Sequence, residues 1–536
     1  MNEWFSYVDL AVLIGYLVIT TWIGHRMSGK QSTISDFFAG GKSLPWWAVC
    51  GSIIATEISG VTFIGVPGGV LAAGGDFTYM LWGIGSIMGR VIVGMVFVKV
   101  FYEDEIYSPY DYMGRRIKPE LKKLATVFFT IGSILGQSVR VLVAALPLRV
   151  VTGLPFEACI LIIGVFAIAW TLMGGMRTVI WTDVMQFGLF TVGGLVTLAW
   201  ITNSIDGGWS AWWQVAEGAG KTQIWDARFG LGDDLKFTFW VAVIAVPFQN
   251  LTAFGVDQLN AQRMFCCRNA GDARKAIIWS SVGQALTYLM LLVGAALFAF
   301  YYMNPPAGEI AAELAIKSGG ELTTLAKGGT PSDGDIVFPI WIVTELPMGL
   351  KGLILAGVFA AAISSLDSIL AALSQTTISV LYHPENNPNL DQKELVKQSR
   401  RWVIIWGVFL TAFTLLMNFV KGQLDINVLP LAFGMTTYTM GPLLGMFLCA
   451  LIGKGSYRGI LIGAVISFVI TMFLRLDVWI LVEKAGMNIQ WLVNLPSYYL
   501  SETGDVKTLI ASHWMWPVGT LITFFGGQIG ARMKSD

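Results

Sequence analysis

Ser364, Ser365 and Ser368, with Asp367 among them, sit in the apolar run Gly357-Val-Phe-Ala-Ala-Ala-Ile-Ser-Ser-Leu-Asp-Ser368. With Ala361, the three serines follow the i, i+3, i+4, i+7 spacing that stacks side chains on one helix face. Hydroxyls and small residues on a buried face can hold a hard cation through side-chain and exposed backbone oxygens. They can equally let two helices approach closely. Asp367 tips the reading toward an ion site, because a carboxylate inside a membrane span is costly and requires a partner or a function.

Two more stretches carry polar groups at membrane depth. One reads Ile53-Ile-Ala-Thr-Glu-Ile-Ser-Gly-Val-Thr-Phe-Ile-Gly-Val-Pro67, with Glu57, Ser59, Gly60 and Thr62 near its middle. The other reads Pro247-Phe-Gln-Asn-Leu-Thr-Ala-Phe-Gly-Val-Asp257. Each alone reads equally well as a kinked packing helix. Together, as the second and seventh spans, they cross in opposite directions, and paired broken helices of two inverted halves mark the central site of a transporter. Glu57, Arg90, Arg140, Asp183 and Asp367 cannot all face lipid. An unpaired buried charge costs on the order of several kcal/mol, so Glu57 is expected to pair with Arg90 or Arg140 on neighbouring spans. Ser133, Gln137 and Arg140 share a helix face. Arg140 either completes an ion pair or turns its planar fork to a substrate carboxylate.

The elements that position these groups follow from composition. The 536 residues are 55% hydrophobic and 13% charged, and mean hydropathy is +0.64. Soluble domains hold about 25% charged residues, so the chain reads as an all-α polytopic membrane protein. Apolar runs of spanning length begin near Asp9, Ser43, Thr78, Leu121, Glu157, Asp183, Phe237, Ala273, Gly349, Val403, Ile426, Arg458 and Met515. This gives about 13 transmembrane helices, or 14 if the stretch 478–495 crosses; Glu483, Lys484 and Asn488 make that stretch read as an outer amphipathic segment. Lys and Arg concentrate in the alternate loops that include Arg115, Arg116, Arg263, Arg268, Lys393 and Arg400, which places the N-terminus outside and the C-terminus in the cytoplasm of a cell membrane. No cleavable signal peptide is evident. Zero net charge argues against a nucleic-acid partner. The five cysteines have no metal-type spacing and read as no disulfide framework. The three histidines form no cluster, and no Ser/His pair or phosphate-cradling loop suggests an enzyme.

The order of several motifs resembles the sodium:solute symporter family, which includes bacterial sodium–galactose and sodium–sialic acid transporters. The motifs are Phe37-Phe-Ala-Gly-Gly-Lys-Ser-Leu-Pro-Trp-Trp47, Ile54-Ala-Thr-Glu-Ile-Ser59, Gly174-Gly-Met-Arg-Thr-Val-Ile-Trp-Thr-Asp-Val-Met-Gln186, Asp257-Gln-Leu-Asn-Ala-Gln-Arg263 and the serine helix. The resemblance implies one transmembrane unit over 1–536: a leading helix at about 9–27, an inverted five-plus-five repeat core with broken helices at 43–450, and additional helices at 455–536. It implies sodium on backbone oxygens of Ala55, Ile58 and Ala361 and hydroxyls of Ser364 and Ser365, a neutral set suited to a monovalent hard cation. A second sodium would map to Asp183, Ser364, Ser365, Asp367 and Ser368, with Asp367 in place of a serine of the sialic acid transporter. Solute-facing positions would be Glu57, Ser59, Thr62 and Asn250, with Phe254 as an aromatic gate. The sialic acid transporter's helix arginine matches Gly136, one turn before Arg140. The expected function is a sodium-coupled symporter, monomeric in the bilayer, importing a small carboxylate or a sugar or polyol by alternating access. Alternatives are a proton-coupled or uncoupled carrier titrating Glu57, Asp183 or Asp367, and a membrane sensor that does not transport.

Overall fold

In hydrocarbon an apolar run has only its own backbone to bond with, so it forms a helix. A computed structural model describes residues 5–533 apart from 30–32, 105, 107, 233–234, 307–317, 319, 330, 332–333, 383–390, 425–427 and 501–505. At 174, 360–362, 364, 420–424, 428, 430, 476–477, 500 and 507 it describes the backbone alone. Each expected apolar run is helical. The units are α1 (Tyr7–Met27), α2 (Trp46–Glu57, resuming as Val61–Leu71), α3 (Thr78–Glu103), α4 (Pro119–Thr152), α5 (Phe156–Met173), α6 (Gly175–Asn203) and α7 (Val241–Val256). They continue as α8 (Ala270–Met303), α9 (Leu350–Tyr382), α10 (Gln392–Leu424), α11 (Val428–Thr436, then Met440–Ile452), α12 (Tyr457–Leu474) and α13 (Met515–Arg532). The five units α2–α6 and the five units α7–α11 form the two halves of the inverted repeat.

Local chemistry sets the ends. Ser6 and Asp9 form a capping box at the start of α1, which satisfies donors that the first turn cannot. Asp9 is fully buried, and its other oxygen accepts the N–H groups of Gly349 (2.6 Å) and Gly352 (3.3 Å), so the first helix caps the start of α9. Pro119 opens α4 and Gly153 closes it in a left-handed conformation. α5 and α6 meet at Gly175, whose φ of 58° and ψ of −169° break the helix. A Cβ there would stand 2.6 Å from the carbonyl oxygen of Phe37, so only glycine fits.

α9 lies at the centre, packed on α1, α4, the α5–α6 pair and α10. The stretch 478–495 is not a span: a helix Leu476–Lys484 and a turn Gln490–Asn494 lead into an antiparallel hairpin, β1 (Tyr498–Leu500) with β2 (Val506–Thr508). This hairpin is the one sheet among the described residues, beside an isolated parallel bridge between Leu44 and Cys267.

The two expected helix breaks differ. α2 bends by 53° between its halves. α7 has no such mid-span break; it winds into wide turns at Val241–Ala245 and Thr252–Val256, stops at Asp257, and resumes as the short helix Gln258–Phe265. Pro247, lacking an N–H, sits at the start of the segment Val246–Leu251, where the widened turn before it absorbs the missing bond.

Candidate functional site

The break in α2 begins where regular bonding ends. Ile58 N–H still donates to Ile54 O at 2.8 Å. Ser59 N–H then turns to Glu57 O (3.0 Å) instead of Ala55 O, while the N–H groups of Thr62 and Phe63 both go to Ser59 O (2.9 and 3.0 Å). The carbonyls of Ala55 and Ile58 are thereby released from the helix ladder. The Ser59 hydroxyl accepts from Val61 N–H at 3.3 Å and steadies the restart.

α9 lies against this break. Arg140 Nη1 donates to Thr56 O at 3.0 Å and to Ser365 Oγ at 3.4 Å. One nitrogen within reach of both oxygens sets the released α2 turn beside the hydroxylated face of α9. Ser365 is fully buried. Ala361 and Ser364 continue the helix, and their side chains lie outside the described ones. The oxygens in this seam are neutral, which suits a monovalent cation.

One turn along α9 the same face meets a second arginine. Arg263 Nη2 donates to Ser368 Oγ (2.6 Å) and to Asp183 Oδ2 (3.1 Å), and its Nε donates to Ser52 Oγ (2.9 Å). Ser52 Oγ in turn donates to Asp183 Oδ2 at 2.5 Å. Ser368 Oγ also donates to Asp367 Oδ1 at 3.2 Å. Of the five residues expected at a second sodium site, Asp183 and Ser368 are therefore joined through a guanidinium and Asp367 is joined to Ser368, whereas Ser365 bonds to Arg140.

A cavity of about 170 Å³ opens on the other side of the α2 break. Glu57, Ser59, Thr62, Ser133, Gln137, Arg140, Asn250, Phe254 and Asp257 all line it. Glu57 pairs with Arg90, as one of the two expected partners. Arg90 is fully buried, and it donates to Ser280 Oγ at 3.1 Å and lies over the Phe254 ring at 4.3 Å. Gln284 Nε2 donates to the second Glu57 oxygen (2.8 Å) and to Ser86 Oγ (3.3 Å), and Ser86 Oγ donates to Asn250 Oδ1 (2.9 Å). The Asn250 amide donates to Val246 O and to Gln249 Oε1. Glu57, Asn250 and Phe254 thus face the cavity already committed to a network. Buried Ser133 Oγ, Gln137 Oε1 and Asn260 Oδ1 have no partner among the described residues.

Sequence reasoning missed three features. Arg263 was legible only as part of a motif, because Asp183 and Ser368 are far from it in the chain. Ser86 and Gln284, which tie Glu57 to Asn250, were single polar residues in apolar runs. The third is an aromatic cap: Trp82 stacks on Phe433 at 4.5 Å, with Tyr79, Phe237, His513 and Trp516 around the pair. It draws on segments that nothing local in the sequence links.

Residues 37–463 match the sodium:solute symporter family. The chain belongs to that family. The symporter is 29% identical over 487 residues to a sodium/sialic acid symporter of Proteus mirabilis, covering 88% of this chain and 90% of that protein. It is 28% identical over 416 residues to a sodium/glucose cotransporter of Vibrio parahaemolyticus, covering 75% of this chain and 73% of that one. A solved structure of a Na+-coupled sialic acid symporter, in a substrate-bound outward-open state, superposes with a TM-score of 0.78 at 23% identity, over 98% of both chains. The protein is a sodium-coupled symporter of the membrane, not an enzyme.

Proposed function

We propose that the symporter imports a small organic anion, with its carboxylate on Arg140 and with Ser133 and Gln137 beside it. The supporting observation is the charge pattern of the cavity wall. Glu57 is taken by Arg90, and Asp257 Oδ1 accepts from Leu259 N–H. Among the described residues Arg140 hydrogen-bonds to the neutral Thr56 O and Ser365 Oγ, with the Asp257 carboxylate near enough to act on its charge. A planar guanidinium with neutral partners recognises a carboxylate by two parallel hydrogen bonds.

Sodium in this reading lies between the carbonyls of Ala55, Ile58 and Ala361 and the hydroxyls of Ser364 and Ser365. Its binding joins α2 to α9 and favours the outward-open state, through differential affinity for the two states. We assign the transport core to 43–450, with 9–27 and 455–536 as additions, and place a functional monomer with its N-terminus outside and C-terminus in the cytoplasm. One specific observation favours a second cation: Arg263 is paired with Asp183, while the second buried carboxylate, Asp367, reaches that pair only through the Ser368 hydroxyl. A second sodium or a proton at Asp367 would balance the surplus charge.

Thermal stability of the purified protein tests the solute class, since a bound ligand stabilises the native state by mass action. Monocarboxylates and sialic acids should raise the transition in sodium but not in potassium, and galactose and glucose should not. Stabilisation by neutral sugars alone would overturn the assignment. For the ion, Ser365→Ala should abolish sodium activation of uptake in proteoliposomes while the protein still purifies folded.

A further inference from the structure

We infer that Arg140 is a tethered cation that occupies the oxygens of the sodium site until sodium displaces it, and that ion and solute binding are coupled through this side chain. The inference deepens the preceding reading and rests on its placement of sodium at the α2–α9 seam.

Arg140 Nη1 donates to Ser365 Oγ and to Thr56 O, the carbonyl between Ala55 and Ile58 in the chain. A sodium ion in that seam needs the same hydroxyl oxygen. Two positive centres within a bond length of one oxygen repel, and the more so away from bulk water. Sodium and the guanidinium therefore exclude each other here.

The displaced side chain has somewhere to go. Ser133 and Gln137 lie on the same face of α4 and border the same cavity, and their Oγ and Oε1 are buried without partners among the described residues. Gly136, on the cavity wall one turn before Arg140, has open space where a Cβ would stand. A side-chain rotation away from Ser365 would let the guanidinium donate to Gln137 Oε1 and meet an anion in the cavity. Of the carboxylates that line this space, Glu57 is paired with Arg90, and Asp257, which accepts from Leu259 N–H, already acts on the Arg140 charge from the cavity side.

The consequence is reciprocal coupling. Without either ligand, Arg140 bridges α2 and α9. Sodium releases it toward the cavity and so prepares the anion site. A bound anion then holds the guanidinium off the seam and retains the sodium.

The test needs sodium alone. Thermal stability is titrated with NaCl at constant ionic strength against choline chloride. Arg140→Gln should lower the half-saturating sodium concentration by about tenfold or more, whereas Arg140→Lys, which keeps a charge, should stay near wild type. An unchanged or higher half-saturation in Arg140→Gln overturns the inference. If Ser365→Ala leaves the sodium response intact, the sodium placement itself has failed; if it removes the response while Arg140→Gln matches wild type, only the tethered-cation inference has. Wild-type protein gives a check that does not depend on a folded variant. Phenylglyoxal should label Arg140, read by peptide mass spectrometry, faster in NaCl than in choline chloride, and equal or slower labelling in NaCl contradicts release.

Discussion

Two arginines grip one face of α9 a turn apart, and they are held in opposite ways. Arg263 is fully buried and tied to the Asp183 carboxylate, two serine hydroxyls and its own helix carbonyl, Leu259 O. Arg140 is half-buried, borders the cavity, and has a carbonyl and a hydroxyl as its partners. The same functional group therefore serves two purposes, decided by the charge opposite it. A guanidinium with a buried counter-ion is expensive to move, because either charge left alone lacks solvation. One with neutral partners beside a polar cavity is free to exchange them.

The largest expected effect tests the fixed member. Arg263→Gln leaves Asp183 buried and uncompensated and should cost about 3–5 kcal/mol of stability, seen as a sharp fall in the thermal transition. Arg140→Gln should cost about 1.5 kcal/mol or less, the net worth of hydrogen bonds to neutral acceptors. Equal losses would erase the distinction between the two sites. Glu57→Gln falls between them, at about 1–3 kcal/mol, because Arg90 keeps Ser280 and the Phe254 ring while Gln284 loses a charged acceptor. The smallest change belongs to Asp367→Ser. It should shift stability by about 1 kcal/mol or less, yet remove any second cation from the transport stoichiometry measured as charge moved per solute. A stoichiometry unchanged by Asp367→Ser would remove the case for a second cation there.

Much of the fold could be read before any coordinates. The spans follow from apolar length, and the α2 break from Glu57, Ser59 and Gly60 in one turn, since such a cluster cannot remain in a regular apolar helix. Pairing of Glu57 with Arg90 or Arg140 followed from the cost of isolated charge; the choice between the two did not, because it depends on helix rotation about the cavity. Within the stretch Pro247 to Asp257 the interruption of α7 lies at the far end. Pro247 is accommodated by a widened turn, and the actual stop comes at Asp257, whose side chain caps the next helix by accepting from Leu259 N–H at 2.8 Å. The aromatic cap and the Arg263 network needed tertiary structure, because each joins residues from distant segments with no shared local pattern.

The buried carboxylate of Asp9 gives the leading helix a role beyond anchoring. By holding the amides of Gly349 and Gly352, it works as a latch between α1 and the start of the cation-bearing helix. Any tilt of α9 during the transport stroke must either carry α1 with it or break the hydrogen bonds to both amides. The first helix then behaves as ballast on the moving part, and Asp9→Asn, by loosening the latch, would set the pace of turnover without touching either cargo.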